Sequence, residues 1–359
     1  MLGAIDQIIP MTGQVLEIRL KSPQRDFLQL LAQPEMAIAL DRPGNGTGPY
    51  RLHSVRDNVT RLRLLPPDGE EASADVSERN DVRVRKEPAA RAIARFAGRE
   101  IGLVTGGRFT TLPLVRPAAI ATNQFSMDSA DGLFGLAVVE GSKALTSVNI
   151  RRALAMAIDR ERLVGRFGLN TWRVQYALLP RQIDSASSPA ALECVGLDKA
   201  ARIARARGYL SAAGRLPVIR IALPSGPGAR LLFAGIAADW QQIGVSTVRV
   251  AMNEPADLRL IDEVAPQRAA LWYLSRLSCG RGLACSAVAD TAIRAALSAT
   301  LPAERAQAIA EADAALASEQ AFIPIASPLR WSLVSPEMIG WRANSFAAHP
   351  LHHLRKARR

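Results

Sequence analysis

Three cysteines, a histidine group near the C-terminus and two glycine-bearing loops are the residues of this chain whose types and spacing could do chemistry. Cys279 and Cys285 enclose the loop GRGLA, and Cys194 stands alone. Zinc would need further ligands at suitable spacing, and none lies close in sequence. A disulfide between Cys279 and Cys285 is sterically possible in an oxidising compartment, and a free pair is the alternative. Cys194 reads as an ordinary half-buried thiol. His349, His352 and His353 have metal-ligand chemistry, but they sit at a basic terminus, where a solvated tail is the better reading. Gly102 to Gly107 follows a strand but has neither dinucleotide-loop spacing nor a phosphate-loop lysine. Ser225, Gly226 and Gly228 precede a helix whose free amides could hold an anion, although a plain turn accounts for them. With no paired acids and no base near a nucleophile in view, the sequence predicts neither an enzyme nor a cofactor or metal site.

The elements that must carry these residues alternate between two periods. Val148 to Val164, VNIRRALAMAIDRERLV, places Ile150, Ala153, Leu154, Ala157, Ile158 and Val164 on one stripe. That spacing predicts a single helix with Asn149 as N-cap, and with Arg151, Arg152, Asp159, Arg160, Glu161 and Arg162 facing water. Strands are predicted at 14–21, 50–55, 59–65, 82–86, 101–105, 216–223, 245–252, 269–274, 322–326 and 331–334, and helices at 26–32, 89–97, 229–243, 288–299 and 302–318. Residues 66–80 are acidic and polar and read as an exposed loop. This alternation predicts an α/β protein.

The wording of several segments says more than their periodicity. Val148 to Val164 resembles the V-R-x-A-L-x-x-A-I-D-R-E-x-L-V signature of family 5 solute-binding proteins, the peptide, dipeptide and nickel receptors of ABC importers. GTGPYRL at Gly46 to Leu52 and GREIGLV at Gly98 to Val104 resemble two earlier family segments, the latter with Gly102 where Asp is usual. Asp198 to Gly214, Glu304 to Ile325 and Val334 to Gly340 are similar to later ones, in the order the family requires. The resemblance implies a two-lobed periplasmic-binding-protein-like fold, type II, peptide-binding subclass, hinged and missing its N-terminal portion. Residues 1–47 would be the remnant of an extra subdomain, 48–147 with 331–359 a discontinuous lobe, and 148–330 the second lobe. It further implies a monomer that closes on a peptide-like or other small solute and delivers it to ABC permease subunits from the periplasm.

Peptide-binding relatives hold the ligand's ammonium with the aspartate of a W-x-x-D-x-x-D-P stretch. The corresponding residues run from Trp272 to Ser278, keep the tryptophan and lack the aspartate. Trp272, Ser275 and Arg276 are the candidate ligand residues there, and an arginine would favour a carboxylate, phosphate or chelate over an ammonium; a solvent-facing Arg276 is the alternative. Tyr50 and Trp172 could enclose a ligand, or serve as core. Some dipeptide-binding relatives carry a cysteine pair near Cys279 and Cys285.

Composition bounds these readings. The chain has 359 residues, 48% of them hydrophobic, enough for two core-bearing lobes. No run approaches the roughly 20 apolar residues of a membrane span, and the start does not read as a signal peptide. The net charge of +12 is arginine-rich and spread along the chain, with a local maximum at 352–359. Only 5% of residues are aromatic, and no helix-turn-helix pattern is seen, so nucleic acid is not an expected partner. A start inside the extra subdomain suggests a start codon placed too late. Two rivals remain in view: a cytoplasmic ligand-sensing domain related to transcription regulators with the same fold, and a degenerate paralogue that binds nothing.

Overall fold

The structure is a computed structural model that describes residues 5–21, 27–33, 36–37, 48–65, 81–169, 171–181, 183–214 and 216–356. The expected loop at 66–80 and the first residues of GTGPYRL lie outside them.

In chain order the strands are β1 (Ile5–Pro10), β2 (Leu16–Leu20), β3 (Tyr50–Arg56), β4 (Val59–Leu64), β5 (Val82–Arg85), β6 (Leu103–Arg108), β7 (Phe125–Ser129), β8 (Gly132–Val138), β9 (Ile219–Ala222), β10 (Thr247–Val250), β11 (Leu258–Val264), β12 (Phe322–Ala326), β13 (Leu329–Val334), β14 (Met338–Ile339) and β15 (Arg355–Lys356). The helices are α1 (Phe27–Leu31), α2 (Ala89–Ala97), α3 (Val148–Ala157), α4 (Arg160–Gly165), α5 (Lys199–Leu210), α6 (Pro227–Gln241), α7 (Ala270–Ser275), α8 (Ala287–Ser298) and α9 (Pro302–Glu319).

Two sheets organise the main body. One has five strands in the order β10-β9-β11-β8-β12, and the other has three, β6-β13-β7. A second three-stranded sheet, β3-β4-β5, and the hairpin β1-β2 stand apart. The five-stranded sheet is mixed: β9 runs parallel to β10 and β11, while β8 is antiparallel to β11 and β12.

Strand β8 shows how this sheet is buried on both sides. Phe134, Leu136 and Val138 enter a core shared with α3, α6 and the β6-β13-β7 sheet, whereas Leu133 and Ala137 enter a second core with α7, α8 and α9. A strand covered on both faces loses its hydrophobic alternation, so its continuous apolar run carries no strand period. The expected partition assigned residues 132–138 to the same lobe as 48–131; the register pairs them instead with β11 and β12.

Three expectations change here. The Val148–Val164 helix is two helices, because Ile158 is extended and Asp159 opens α4 as its N-cap, accepting the Arg162 N–H at 3.2 Å. Ser147, not Asn149, occupies the N-cap position of α3. The expected strand at 269–274 is α7, whose residues Ala270 to Leu274 are all buried. A short apolar run buried all round has neither period, and only its packing decides its conformation.

The arginines of this region also depart from expectation. Arg151 is buried, and Arg160 is fully so. The helix break frees carbonyls that helix continuation would have bonded. Arg160 fills them, donating from Nη1 to the oxygens of Ala155 (3.1 Å) and Ile158 (3.2 Å), and reaches strand β12 by donating from Nε to the Pro324 oxygen (2.8 Å). Arg202 adds a bond to the Ile158 oxygen at 2.8 Å. Cys194 is buried rather than half-buried, with its sulfur 3.9 Å from Arg160 Nη1. Burial drives the Arg160 guanidinium below its ordinary pKa.

Candidate ligand-binding site

The chain passes between the two main sheets at two neighbouring points. The first lies between Ser129, the end of β7, and Gly132, the start of β8; the second lies between Ala326, the end of β12, and Leu329, the start of β13. A cavity of about 20 Å³, room for a water molecule, sits at these crossings. Asp131, Gln175, Tyr273 and Ser327 supply its polar lining.

Asp131 anchors this corner. Its carboxylate accepts from Arg268 Nε at 2.8 Å and lies 3.7 Å from Arg173 Nη2. Its main chain accepts the Ala265 N–H and donates to the Ser345 oxygen, each at 2.8 Å, tying the first crossing to both flanking segments. Tyr273 lies beside it with its hydroxyl buried and with no hydrogen-bond partner of ordinary geometry. Burial, followed by the Asp131 charge, pushes that hydroxyl well above the usual phenol range, so it is a neutral donor at all physiological pH.

A second polar contact spans the seam. Arg330, the second residue of β13, donates to Asp262 of β11 at 2.7 Å and to the Asp262 carbonyl at 3.2 Å. Both side chains are nearly buried, at 12% and 9% exposure. Burial raises the Asp262 pKa, and Arg330 followed by Arg108 pulls it back. Behind this pair the Trp331 indole lies flat on Gly107, where a Cβ would collide with the ring, and its N–H donates to the Arg108 carbonyl at 2.9 Å.

The ligand contacts read from the sequence fall in three places. Trp172 is buried, donates to the Ser327 carbonyl at 2.8 Å and meets Phe134 and Phe167 edge-on. Trp272, Ser275 and Arg276 lie on or beside α7, with Trp272 buried in the second core. Arg276 pairs with Glu263 of β11 (Nε–Oε2 2.7 Å) and lies over the Trp272 ring, 5.7 Å from its centre. Its charge is therefore already met within the protein. Tyr50 begins β3, in the sheet β3-β4-β5, whereas the other candidates lie on a loop or a helix. Cys279 and Cys285 are joined by a disulfide, with Cα atoms 5.1 Å apart. The His349 ring nitrogen Nε2 donates to the Asp128 carboxylate at 2.9 Å, and the ring stacks on Trp341. The glycine loop before α6 holds a carbonyl rather than an anion: Gly228 N–H donates to the Thr110 oxygen at 2.9 Å, so close that a Cβ there would strike the backbone of Phe109.

Asp131, Arg173, Asp262, Arg268, Tyr273 and Arg330 escaped the sequence reading. The one available signal was a charged residue inside an apolar strand, Asp262 in LRLIDEV and Arg330 in LRWSLV.

Two sheets joined by paired crossings, with polar residues converging on the seam, define the architecture of a hinged ligand-binding protein. The family model "Bacterial extracellular solute-binding proteins, family 5 Middle" matches residues 4–261, and the chain belongs to that family, the substrate-binding components of ABC importers. No curated protein matches the sequence. Among solved structures, Haemophilus influenzae OppA in complex with the peptide RPPGFSPFR is similar at 15% identity and a TM-score of 0.76, over 98% of this chain and 75% of that one. NikA from Brucella suis, in complex with Fe(III)-EDTA, is similar at 16% identity and a TM-score of 0.75, over 98% and 79%. A dipeptide-binding protein from Pseudoalteromonas sp. SM9913, in complex with Met-Leu, is similar at 17% identity and a TM-score of 0.75, over 99% and 76%. At these identities the likeness is one of fold. Among the described residues no helix is long and apolar enough to cross a membrane.

Proposed function

We propose that this protein captures a small solute at the seam between two lobes on the outer side of the cytoplasmic membrane and presents it, as a monomer, to the permease of an ABC importer. The lobes divide at the crossings, one containing β6, β7 and β13 and the other β8 to β12. The observation that carries the reading is the pair of crossings at Ser129–Gly132 and Ala326–Leu329, which link the strands of these two sheets among the described residues.

The solute class follows from the charges at the seam. Arg173 and Arg268 are more than half exposed while sharing one carboxylate, that of Asp131. This excess of cation suits a ligand with a carboxylate, such as a peptide C-terminus or a carboxylate-bearing metal chelate. Ser275 and Arg276 would stand at the neighbouring wall, with Arg276 oriented by its ion pair with Glu263, and the buried Trp272 supports them from the second core. Tyr50 and Trp172 contribute as supports of the lobes rather than as ligand contacts.

Thermal unfolding in the presence of pooled di- to pentapeptides, opines and metal-aminocarboxylate chelates tests the proposal. A bound pool raises the melting temperature in proportion to the logarithm of its concentration, and small-angle scattering shows a more compact particle. No shift with any pool, using the full chain, overturns it.

A further inference from the structure

The sheet β3-β4-β5 sorts its residues by charge. In β4, Val59, Arg61 and Arg63 share one face by strand alternation. The register places Arg56, Ser54 and Arg51 opposite them on β3, and Arg85 and Arg83 opposite the first two on β5. Residues directly opposed across a ladder lie on the same face. That face therefore carries six arginines, Arg51, Arg56, Arg61, Arg63, Arg83 and Arg85, while the other carries Tyr50, Leu52, Val55, Leu62, Val82 and Val84 among its residues. Asp81 takes up Arg61 at 2.5 Å and Arg63 at 3.4 Å. Arg51, Arg56, Arg83 and Arg85 are exposed and meet no carboxylate among the described residues.

Like charges directly opposed across a ladder, as Arg51 with Arg63 and Arg61 with Arg83, oppose the pairing of their strands. A solvated surface has no need of that arrangement; a surface that meets a polyanion does. We propose that this face docks on the phosphates of an anionic phospholipid bilayer. A pleated sheet face is flat, with guanidinium groups repeating about 5 Å across strands and about 7 Å along them, which fits a plane of phosphates and does not enclose a single small anion. Guanidinium engages phosphate through two parallel N–H donors. The face has no aromatic residue for base stacking, which argues against single-stranded nucleic acid. Docking would hold the protein beside its permease; this role rests on the importer reading above, whereas the charge pattern does not.

The connection from β4 to β5 carries Asp68, Glu70, Glu71, Asp75 and Glu78, so the full chain is the proper test object. Vesicles of phosphatidylglycerol and phosphatidylcholine in equal parts are compared with pure phosphatidylcholine by co-sedimentation at about 50 mM salt. The chain binds the anionic vesicles only, and release follows at about 0.5 M salt, where screening shortens to a few Å. Each basic side chain at an anionic surface is worth about fivefold in partitioning, so R51Q/R56Q/R83Q/R85Q weakens binding by at least about a hundredfold. The control R205Q/R230Q/R249Q/R294Q, with the same charge change elsewhere on the exposed surface, binds within about tenfold of the parent. Equal binding to neutral vesicles, retained binding by the first variant, an equal loss in the control, or tighter binding to duplex DNA than to the anionic vesicles each overturns the proposal. Solute-induced thermal shifts are read separately, so failure of either reading leaves the other standing.

Discussion

Asp313 of α9 makes the pH dependence of this fold testable at one residue. Its carboxyl is 3% exposed, accepts one hydrogen bond from the Ala190 N–H at 2.7 Å and leaves its second oxygen buried without a partner. Burial outweighs that bond and pushes the carboxyl from 3.8 up to about 6. Between those values the folded chain holds a proton that the unfolded chain has released. Folding stability from this residue is therefore present below the unfolded pKa and is lost as pH rises through about 6. A gap of about two units at about 1.4 kcal/mol each makes the loss roughly 3 kcal/mol. Asp313→Asn keeps an acceptor for Ala190 and removes the charge. Urea unfolding followed by tryptophan fluorescence, at steps from about pH 3 to pH 7.5, gives the stability difference between variant and parent. That difference swings by about 3 kcal/mol in favour of the variant as pH rises. Other carboxylates titrate in both proteins and cancel. A difference that stays constant within about 1 kcal/mol across the range refutes the reasoning.

Other perturbations probe the seam and its supports. Arg330→Met leaves Asp262 buried and unpaired, costing about 3–5 kcal/mol near neutral pH. Because the unpaired carboxyl is raised further, part of that stability returns on acidification, and Asp262→Asn in the same chain restores most of it; a double variant no better than the single one contradicts the pairing. Gly107→Ala forces a methyl into the Trp331 ring, an overpacking cost of about 1–3 kcal/mol, visible as a lowered urea midpoint and a red-shifted tryptophan emission. Replacing Cys279 and Cys285 by alanine removes a closure of six residues' separation, worth roughly 2 kcal/mol by the loop-entropy relation; reductant lowers the parent's melting temperature and leaves the variant's unchanged.

The strands and helices that show one wet and one dry face were legible in the sequence. Residues 50–64 read as two strands about Asp57 and Asn58, and both of those turn residues take positive φ, 48° and 61°. The family wording of Val148 to Val164 was equally legible, since it depends on residue order alone. Strands β1, β7 and β11, which mix charged and apolar residues without a clean alternation, were not read, and neither were the elements buried on every side. Strand β8 and helix α7 are apolar without period, so the first was missed and the second was read as a strand. Arg160 looked like a surface cation because nothing in its neighbours announces the carbonyls that the break at Ile158 turns toward it.

The sequence by itself determined the family and the α/β class, because both are written in local spacing. Tertiary structure alone decided which charges meet. Arg330 reaches Asp262 across 68 residues and Arg268 reaches Asp131 across 137. Likewise, six arginines scattered between 51 and 85 become one surface only when strand register aligns them. Side-chain electrostatics is screened over about 10 Å of space, and distance along the chain carries no record of that space until the sheets have formed.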